Sequence, residues 1–426
     1  MPDRQELMYG TAQEIMKLAI FKTTSDNETI YMYNKELGIY QDNAESYIKT
    51  ISQRMLGEQA NTFLVNGILD TVARSTLLER KNFDSIPNIA CVRNGVLDLV
   101  TSELKPHSPE YLLLRQLPVK YNSGKSAKGI GKFLDEVVSD NDKKLIVQFL
   151  GFLLTNGYKF HKALLFVGSG NNGKTTLAEV IRTFLGANNV STVSLQDLCN
   201  DRFASSDLYG KLANIKSELS AASVKEIDKF KLIVGGDMID GQRKYKDRFH
   251  FYNNAKVIFT CNEIPQAPNA DDAYYNRWII VYFPNKFVGS RDNTNLREQL
   301  TIEDEMSGLL NMALVGYKEL ITNNRFAYDD DPKSVKKQYC LYSSDTINRF
   351  VRDRLSLDSD KWITKEEIYK SYKLYCIEEG EGCKEEIGFW RRMEEVIHVK
   401  ERESYRVVQS TGKRAYGLNG IKIIGG

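Results

Sequence analysis

The chain has 426 residues, of which 42% are hydrophobic and 27% are charged. This composition is typical of a globular protein and excludes collagen-like, coiled-coil and extensively disordered chains. The net charge is +2, from 58 basic and 56 acidic residues, so a nucleic-acid site has to be a local basic patch and cannot be a property of the whole chain. At this length we expect two or three domains, since a domain commonly takes roughly 100 to 200 residues.

Apolar runs and cysteines further restrict the class of protein to which this chain can belong. The longest apolar stretch, residues 145–154, is interrupted by Gln148 and is shorter than the roughly 20 residues of a membrane-spanning helix. We therefore predict a buried helix there and no membrane association. The first ten residues lack the apolar core of a secretory leader, which predicts a cytoplasmic protein. Six cysteines without a C-x-x-C pair favour reduced thiols over a disulfide framework or a zinc site.

The first part of the chain is predicted to be an α+β domain over residues 1–125. Residues 26–42 alternate apolar and polar side chains around NKELG, which predicts a β-hairpin. Residues 44–60 have the apolar spacing of a helix. Three short strand-like runs follow between residues 88 and 121. The small-residue, basic connector NSGKSAKGIGK, residues 122–132, marks the first predicted boundary.

Residues 126–330 alternate apolar strand-like runs with helical patterns. The strand-like runs are ALLFV, LANI, AKVIFT and WIIVYF. This alternation predicts an α/β domain in which a largely parallel sheet is covered by helices. A polar segment with one proline at residues 323–334 marks the second predicted boundary.

Residues 335–426 are predicted to form a third, C-terminal domain. Helical patterns cover residues 335–355, 364–380 and 385–396, and two strand-like runs then flank an STGKR turn. Helices closed by a β-hairpin predict a winged-helix-like domain. The alternative is a helical collar that only packs subunits together.

A glycine-rich segment, GSGNNGKTT, follows the run ALLFV and precedes a helical pattern. It matches the phosphate-binding pattern G-x-x-x-x-G-K-[ST] in the strand–loop–helix setting that this pattern requires. Lys174 is placed to reach the β and γ phosphates of a nucleotide, and the Thr175 hydroxyl to bind Mg²⁺. The predicted nucleotide-binding residues are Gly168, Ser169, Gly170, Asn171, Asn172, Gly173, Lys174, Thr175 and Thr176.

Three further polar residues lie at predicted strand ends. Glu218 follows LANIK and is a candidate to hold Mg²⁺ or its water shell and to orient or deprotonate the attacking water. Asn262 ends a strand expected to adjoin the phosphate-loop strand, where an amide can contact the γ-phosphate or position water. Arg277 precedes WIIVYF and could reach a neighbouring subunit's phosphate. The alternatives are an exposed glutamate, a turn-forming asparagine and an ion pair of Arg277 with Asp271 or Asp272.

A basic segment lies between these residues, at 229–256. It contains seven basic residues and three aspartates, a local charge of 7 − 3 = +4. Within it, RKYKDRF interleaves cations with aromatic rings, a pattern that suits a loop contacting a nucleic-acid backbone by charge and bases by stacking. The alternative is a solvated charged hairpin.

Taken in chain order, the phosphate loop, SELS, KLIVGGDMIDGQRKYKD, FTCNEIP and DDAYYNRWIIVYF resemble the superfamily 3 helicases of the phage and plasmid primase type, which are related to poxvirus primase-helicases. Residues 93–121 resemble the segment that precedes the helicase in that family, and residues 364–396 its winged-helix end. The resemblance implies a P-loop AAA+-type ATPase that uses ATP and Mg²⁺ to move 3′ to 5′ along single-stranded or forked DNA, usually as a homo-hexamer.

The resemblance also implies roles for individual residues. It assigns Lys174 and Thr175 to the phosphate-loop lysine and Mg²⁺ ligand, Glu218 to the Walker B acid, Asn262 to the sensor, Arg277 to the arginine finger, and Arg243, Lys244 and Lys246 to the DNA-contacting hairpin of the ring pore. One departure is Ser217, which stands before Glu218 where many relatives have paired acids. One carboxylate would then serve both the metal and the water.

Relatives often fuse a primase to the N-terminal side, but residues 1–80 show no cluster of metal-binding carboxylates or zinc ligands. We therefore expect no primase activity in this chain, and a primase or polymerase as a partner in the same or a separate chain. For a viral or plasmid protein the expected location is the host cytoplasm.

Two alternatives to the helicase remain open at this stage. The first is a DNA-binding replication initiator whose ATPase switches its assembly state with little unwinding. The second is a small-molecule kinase, which would need a substrate pocket and a lid where this chain has a predicted basic hairpin and a predicted winged helix. A salt titration separates the kinase from the two DNA-binding hypotheses, because DNA binding weakens with added salt and kinase activity has no such dependence.

Overall fold

The computed structural model describes residues 3–424 apart from 221, 225, 245–247, 288–294, 329–330, 344, 381, 408–411 and 413. The described chain is mixed α/β, as predicted, and its elements form three successive groups. None of the helices described combines the length and apolar character that a membrane crossing requires.

The N-terminal group consists of three helices and two small sheets, with strand orders β3-β2-β1-β4 and β7-β6-β5-β8. Its elements are α1 (Arg4–Leu18), β1 (Phe21–Thr24), β2 (Ile30–Asn34), β3 (Ile39–Gln41), α2 (Ala44–Leu56), α3 (Thr62–Ser75), β4 (Leu77–Leu78), β5 (Ile89–Val92), β6 (Gly95–Asp98), β7 (Leu104–Lys105) and β8 (Gln116–Leu117).

Two sequence predictions in this group are confirmed. The hairpin predicted at residues 26–42 is the antiparallel pair β2 and β3, to which β1 adds a third strand. The helix predicted at residues 44–60 is α2, which ends at Leu56 because Gly57 has a φ of +54°, outside the helical region.

The central group contains a five-stranded sheet with the order β10-β11-β14-β9-β15. All four strand pairs are parallel. Its elements are α4 (Lys128–Val137), α5 (Asp140–Leu153), β9 (Ala163–Val167), α6 (Lys174–Leu185), β10 (Val190–Ser191), α7 (Leu195–Asn200), β11 (Ala213–Lys216), α8 (Asp228–Gly235), β12 (Met238–Gln242), β13 (Arg248–Tyr252), β14 (Lys256–Cys261), α9 (Asp272–Tyr275), β15 (Trp278–Tyr282), α10 (Leu296–Leu300) and α11 (Glu303–Asn323).

The parallel sheet forms because its strands are apolar on both faces. Every residue of β9 and β14 is buried, the pattern of strands covered by helices on both sides. The four apolar runs ALLFV, LANI, AKVIFT and WIIVYF correspond to β9, β11, β14 and β15, so the predicted parallel sheet is confirmed. The apolar stretch at residues 145–154 forms the buried second half of α5.

The C-terminal group contains five helices and a three-stranded antiparallel sheet with the order β16-β18-β17. The continuous helix predicted at residues 335–355 is wrong, because Asp345 caps the start of a separate helix. The elements are α12 (Pro332–Leu341), α13 (Thr346–Arg354), β16 (Leu355–Thr364), α14 (Lys365–Glu378), α15 (Glu386–Ile397), α16 (Val399–Arg402), β17 (Glu403–Val407) and β18 (Arg414–Ile423).

Buried apolar side chains form one large cluster and smaller ones. The large cluster joins the parallel sheet to Val92 of β5, Leu97 of β6 and Leu117 of β8. Separate clusters lie between α1, α2 and α3 and among α13, α14 and α15. Packing therefore continues across residue 125, and the three-domain division into residues 1–125, 126–330 and 335–426 stays a prediction.

Candidate functional site

The segment between β9 and α6, residues 168–173, is here called the glycine loop. Gly168 has a φ of +155°, and a Cβ there would lie 2.3 Å from Nδ2 of Asn172 and 2.6 Å from the carbonyl oxygen of Phe283. Gly173 has a φ of +92°, and a Cβ there would lie 2.9 Å from Cγ1 of Val137. Both positions therefore require glycine, for conformation and for space.

Lys174 is the first residue of α6, and its side chain turns back into the glycine loop, where it is buried. Its Nζ donates hydrogen bonds to the carbonyl oxygens of Gly168 at 2.6 Å and Ser169 at 2.9 Å. It also donates to the side-chain oxygens of Asn172 at 2.9 Å and Asn262 at 3.3 Å. Oxygen acceptors thus hold the ammonium group at the start of the helix, where an anion is favoured by the helix dipole.

Burial lowers the pKa of the Lys174 ammonium to about 8, and the negative charge of Glu218 partly opposes this shift. A phosphate anion brought against the ammonium would favour its charged form and raise the pKa again. A bound anion is therefore stabilised electrostatically by the charged Lys174 ammonium.

The strand order places Asn262 and Glu218 at the same edge of the sheet as the glycine loop. β14 lies between β9 and β11 and is parallel to both, so Asn262, which follows β14, lies beside the glycine loop, as the sequence predicted for this strand. Glu218 lies two residues beyond β11 and is exposed. Its φ is +61°, and its backbone N–H donates to Oγ1 of Thr260 at 3.1 Å.

An open cavity of about 1050 Å³ lies at this edge; we call it the loop cavity. It is lined by residues 170–176 of the predicted nucleotide-binding set, together with Glu218 and Asn262. Gly168 and Ser169 contribute their carbonyl groups to Lys174 instead. Hydroxyl, carboxylate and amide oxygens of the kind that Mg²⁺ binds therefore face one space with Lys174.

The position before Glu218 offers no second acid. Ser217 carries a hydroxyl that is buried and has no hydrogen-bond partner within the described chain. Ser217 therefore cannot replace the second acid that many relatives have at this position, because a hydroxyl supplies no negative charge to the cavity.

Arg277 is not brought to the loop cavity of its own chain. It is half-buried at the start of β15, and burial lowers the pKa of its guanidinium. Nε donates to the carbonyl oxygen of Lys231 at 3.1 Å, and one terminal nitrogen donates to that of Ala273 at 2.6 Å. Asp271, a partner considered for Arg277, accepts instead from Nζ of Lys231 at 2.9 Å.

The basic segment forms an antiparallel hairpin of β12 and β13. Arg243 and Lys244 are exposed at its turn, and Lys246 lies outside the described residues. The ring of Phe249 packs 5.2 Å from that of Tyr209 and stacks on Phe251. The ring of Phe249 therefore packs against other rings of the fold, and base stacking by the aromatic residues of this segment stays a prediction.

On the outer face of this hairpin, Tyr252 is exposed and pairs across the strands with Met238. In the C-terminal group, Arg391 is exposed on α15, whereas Arg392 pairs with Glu395 and, at 3.7 Å, with Asp345.

Two parts of this chain match known protein families. Residues 11–139 match the family described as "D5 N terminal like", and residues 166–277 match a family of unknown function, DUF5906. The chain is 25% identical over 226 residues to "Putative helicase L207/L206" of Acanthamoeba polyphaga mimivirus. It is 25% identical over 215 residues to "Putative helicase V13" of Sputnik virophage. The resemblance to phage and viral primase-helicases is confirmed.

The match to these viral helicases covers about half of this chain, 50% and 46%, but only 23% and 27% of the relatives. A solved structure titled "The A form apo structure of NrS-1 C terminal region-CTR" has a TM-score of 0.52, with 14% identity and coverage of 99% of this chain and 100% of that one. This likeness shows a shared fold.

The primase-helicase resemblance leaves some cavity residues unexplained. Sequence reasoning missed Glu263, which directly follows Asn262 and lines the loop cavity. It also missed the walls formed by Phe133 of α4 and by Leu296 and Leu300 of α10. Only Glu263 had a local signal, a carboxylate next to a candidate sensor.

Proposed function

We propose that this chain is an ATP-dependent DNA helicase that acts in the replication of a phage, plasmid or other mobile element. The single observation that carries the proposal is the convergence of Lys174, Thr175, Glu218 and Asn262 on one cavity at the carboxyl edge of a parallel sheet. This edge is where open α/β sheets bind their ligands. The central group then acts as a P-loop AAA+-type ATPase core.

ATP would bind with its phosphates at the glycine loop, and Thr175 and Glu218 would hold Mg²⁺, which would neutralise phosphate charge. Lys174 neutralises the β and γ phosphates, and Asn262 contacts the γ-phosphate or its water. The hydrogen bond between Lys174 and Asn262 supports this, because the two side chains already share one space at 3.3 Å.

Arg277 is proposed to act on the nucleotide of an adjacent subunit in a homo-hexameric ring. Arg277 is not among the residues that line its own chain's loop cavity, which is compatible with such a role in trans, and its guanidinium donates to the backbone carbonyl groups of Lys231 and Ala273. The exposed Arg243 and Lys244, with Lys246, would contact DNA phosphates in the ring pore. The C-terminal helices and three-stranded sheet are proposed to act as a winged-helix-like domain.

Strand displacement on partial duplexes tests this function. We expect ATP- and Mg²⁺-dependent release of the strand from a duplex with a 3′ single-stranded tail, and much less release from a 5′-tailed one. Lys174→Ala should release neither strand. If the wild-type protein binds forked DNA and ATP but displaces no strand from either substrate, the helicase proposal fails in favour of the ATP-switched initiator.

A further inference from the structure

Two carboxylates at the carboxyl edge of the sheet line the loop cavity, in addition to Glu136 of α4. Glu218 follows β11 and Glu263 follows β14, and these strands are parallel neighbours, so both segments leave the sheet at the same edge. Both side chains line the cavity with Lys174 and Thr175. The second acid that is absent from position 217 is therefore present on the adjacent strand.

The Glu263 carboxylate is held in place by an arginine from the C-terminal group. Its Oε1 lies 3.3 Å from a terminal nitrogen of Arg349 on α13, and the two side chains are 27% and 12% exposed. A carboxylate paired on one side with a largely buried guanidinium loses rotational freedom but keeps oxygen lone pairs for another donor. The pair therefore fixes an acceptor at the cavity.

Main-chain contacts fix the segment after Glu263 as well. The N–H of Ile264 donates to the carbonyl oxygen of Tyr342 at 2.7 Å, and the hydroxyl of Tyr339 on α12 donates to the carbonyl oxygen of Pro265 at 2.8 Å. Ile264 and Tyr339 are both buried. A site residue supported in this way is held close to one orientation, which is what positioning a reactant requires.

We propose that Glu263 accepts a hydrogen bond from the water that attacks the γ-phosphate, with Arg349 as its positioning residue. This inference rests on the proposed ATP hydrolysis. The water oxygen bonds to the γ-phosphorus, and the bond from that phosphorus to the β–γ bridging oxygen breaks with its electron pair leaving on ADP. The water proton passes to the Glu263 carboxylate and then to solvent. Glu218 then serves Mg²⁺ and its water shell.

The test is steady-state ATP hydrolysis by the full chain with single-stranded DNA. We expect Glu263→Gln to lower kcat by about a hundredfold or more, the lower end of general acid–base effects. KM for ATP should stay within about twofold, because a group acting mainly in the transition state changes kcat and not ground-state binding. Glu263→Asp should recover part of the loss. Glu378→Gln, which breaks the Arg354–Glu378 ion pair of the C-terminal group, is the matched control and should retain wild-type kcat.

Arg349 is tested with the same readouts. Arg349→Met should lower kcat, Arg349→Lys should recover part of it, and adding Glu263→Gln to Arg349→Met should cost little more, because both changes disturb one acceptor. A fluorescent ATP analogue, expected to bind all these variants as it binds wild type, shows that the site is folded.

Three outcomes would overturn the inference. Wild-type kcat in Glu263→Gln, while Lys174→Ala is inactive, removes the role of Glu263 and leaves the proposed function intact. A higher Mg²⁺ requirement in Glu263→Gln at unchanged maximal kcat assigns the carboxylate to the metal instead of the water. Absence of hydrolysis by the wild-type protein removes the proposed function and this inference together.

Discussion

Nζ of Lys174 donates a hydrogen bond to Oδ1 of Asn262 at 3.3 Å, which joins the glycine loop to the end of the neighbouring strand. A lysine and an asparagine far apart in the chain thus meet where β9 and β14 run in parallel. A nucleotide phosphate bound to Lys174 would also be within reach of Asn262.

The pH dependence of nucleotide binding should report on Lys174. Its pKa of about 8 lies below the ordinary 10.5 because of burial, so about half of the unliganded molecules lack this proton near pH 8. Since phosphate binding favours the charged form, apparent affinity for Mg·ATP should be full well below pH 8 and fall as the pH rises, by about tenfold at one unit above the pKa. Equilibrium titration with a fluorescent ATP analogue measures this.

Lys174→Arg is the control for that titration. Arginine stays charged over this range, so whatever affinity the variant retains should be independent of pH between about 7 and 9. A wild-type affinity that is equally flat would contradict the role given to the lysine proton.

The glycines of the loop should differ in their tolerance of a methyl group. Gly173→Ala places a Cβ at 2.9 Å from Val137 with φ at +92°, and we expect a loss of about 1–3 kcal/mol in the free energy of unfolding. Gly170→Ala is the matched control, because a Cβ there meets nothing within 4 Å. Thermal unfolding of the unliganded variants checks this, and equal melting temperatures would show that Gly173 is not constrained.

The turn of the β12–β13 hairpin should carry part of the DNA affinity. Replacing Arg243 and Lys244 with alanine removes two exposed charges, so we expect weaker binding to single-stranded DNA and a slope of log K against log salt shallower by about 1–2. Lys35→Ala, at the exposed turn between β2 and β3, is the control. An unchanged salt slope in the double variant would place the DNA elsewhere.

Mixing experiments test the proposed role of Arg277 in trans. If each active site needs Arg277 from its neighbour, Arg277→Ala subunits should inactivate adjacent wild-type sites, so activity should fall faster than the wild-type fraction in mixed assemblies. The hydrolysis rate as a function of mixing ratio measures this. Activity proportional to the wild-type fraction would argue that each subunit works alone.

How much the sequence predicts depends on how local the signal is. The strands β9, β11, β14 and β15 were predictable because a strand buried on both faces must be a continuous apolar run. In contrast, β16 was missed because its polar sequence LSLDSDKWIT resembles a loop. It is a strand only through its pairing with β18, which no local pattern reports.

The same distinction applies to the candidate site. Lys174 and Thr175 belong to a short motif, and Glu218 and Asn262 were found by combining strand ends with sheet topology. The Glu263–Arg349 pair joins the central and C-terminal groups. The sequence around neither residue predicts this contact. Arg349 lies on α13, a separate helix that the continuous helical pattern of residues 335–355 concealed.

The most direct test of the central claim is ATP hydrolysis by the purified chain with and without single-stranded DNA, alongside Lys174→Ala. We predict Mg²⁺-dependent hydrolysis that DNA stimulates and that Lys174→Ala abolishes. The reason is that the proposed function couples ATP hydrolysis in the loop cavity to DNA binding at the basic hairpin. Hydrolysis that is indifferent to DNA, or that persists without Lys174, would contradict the account.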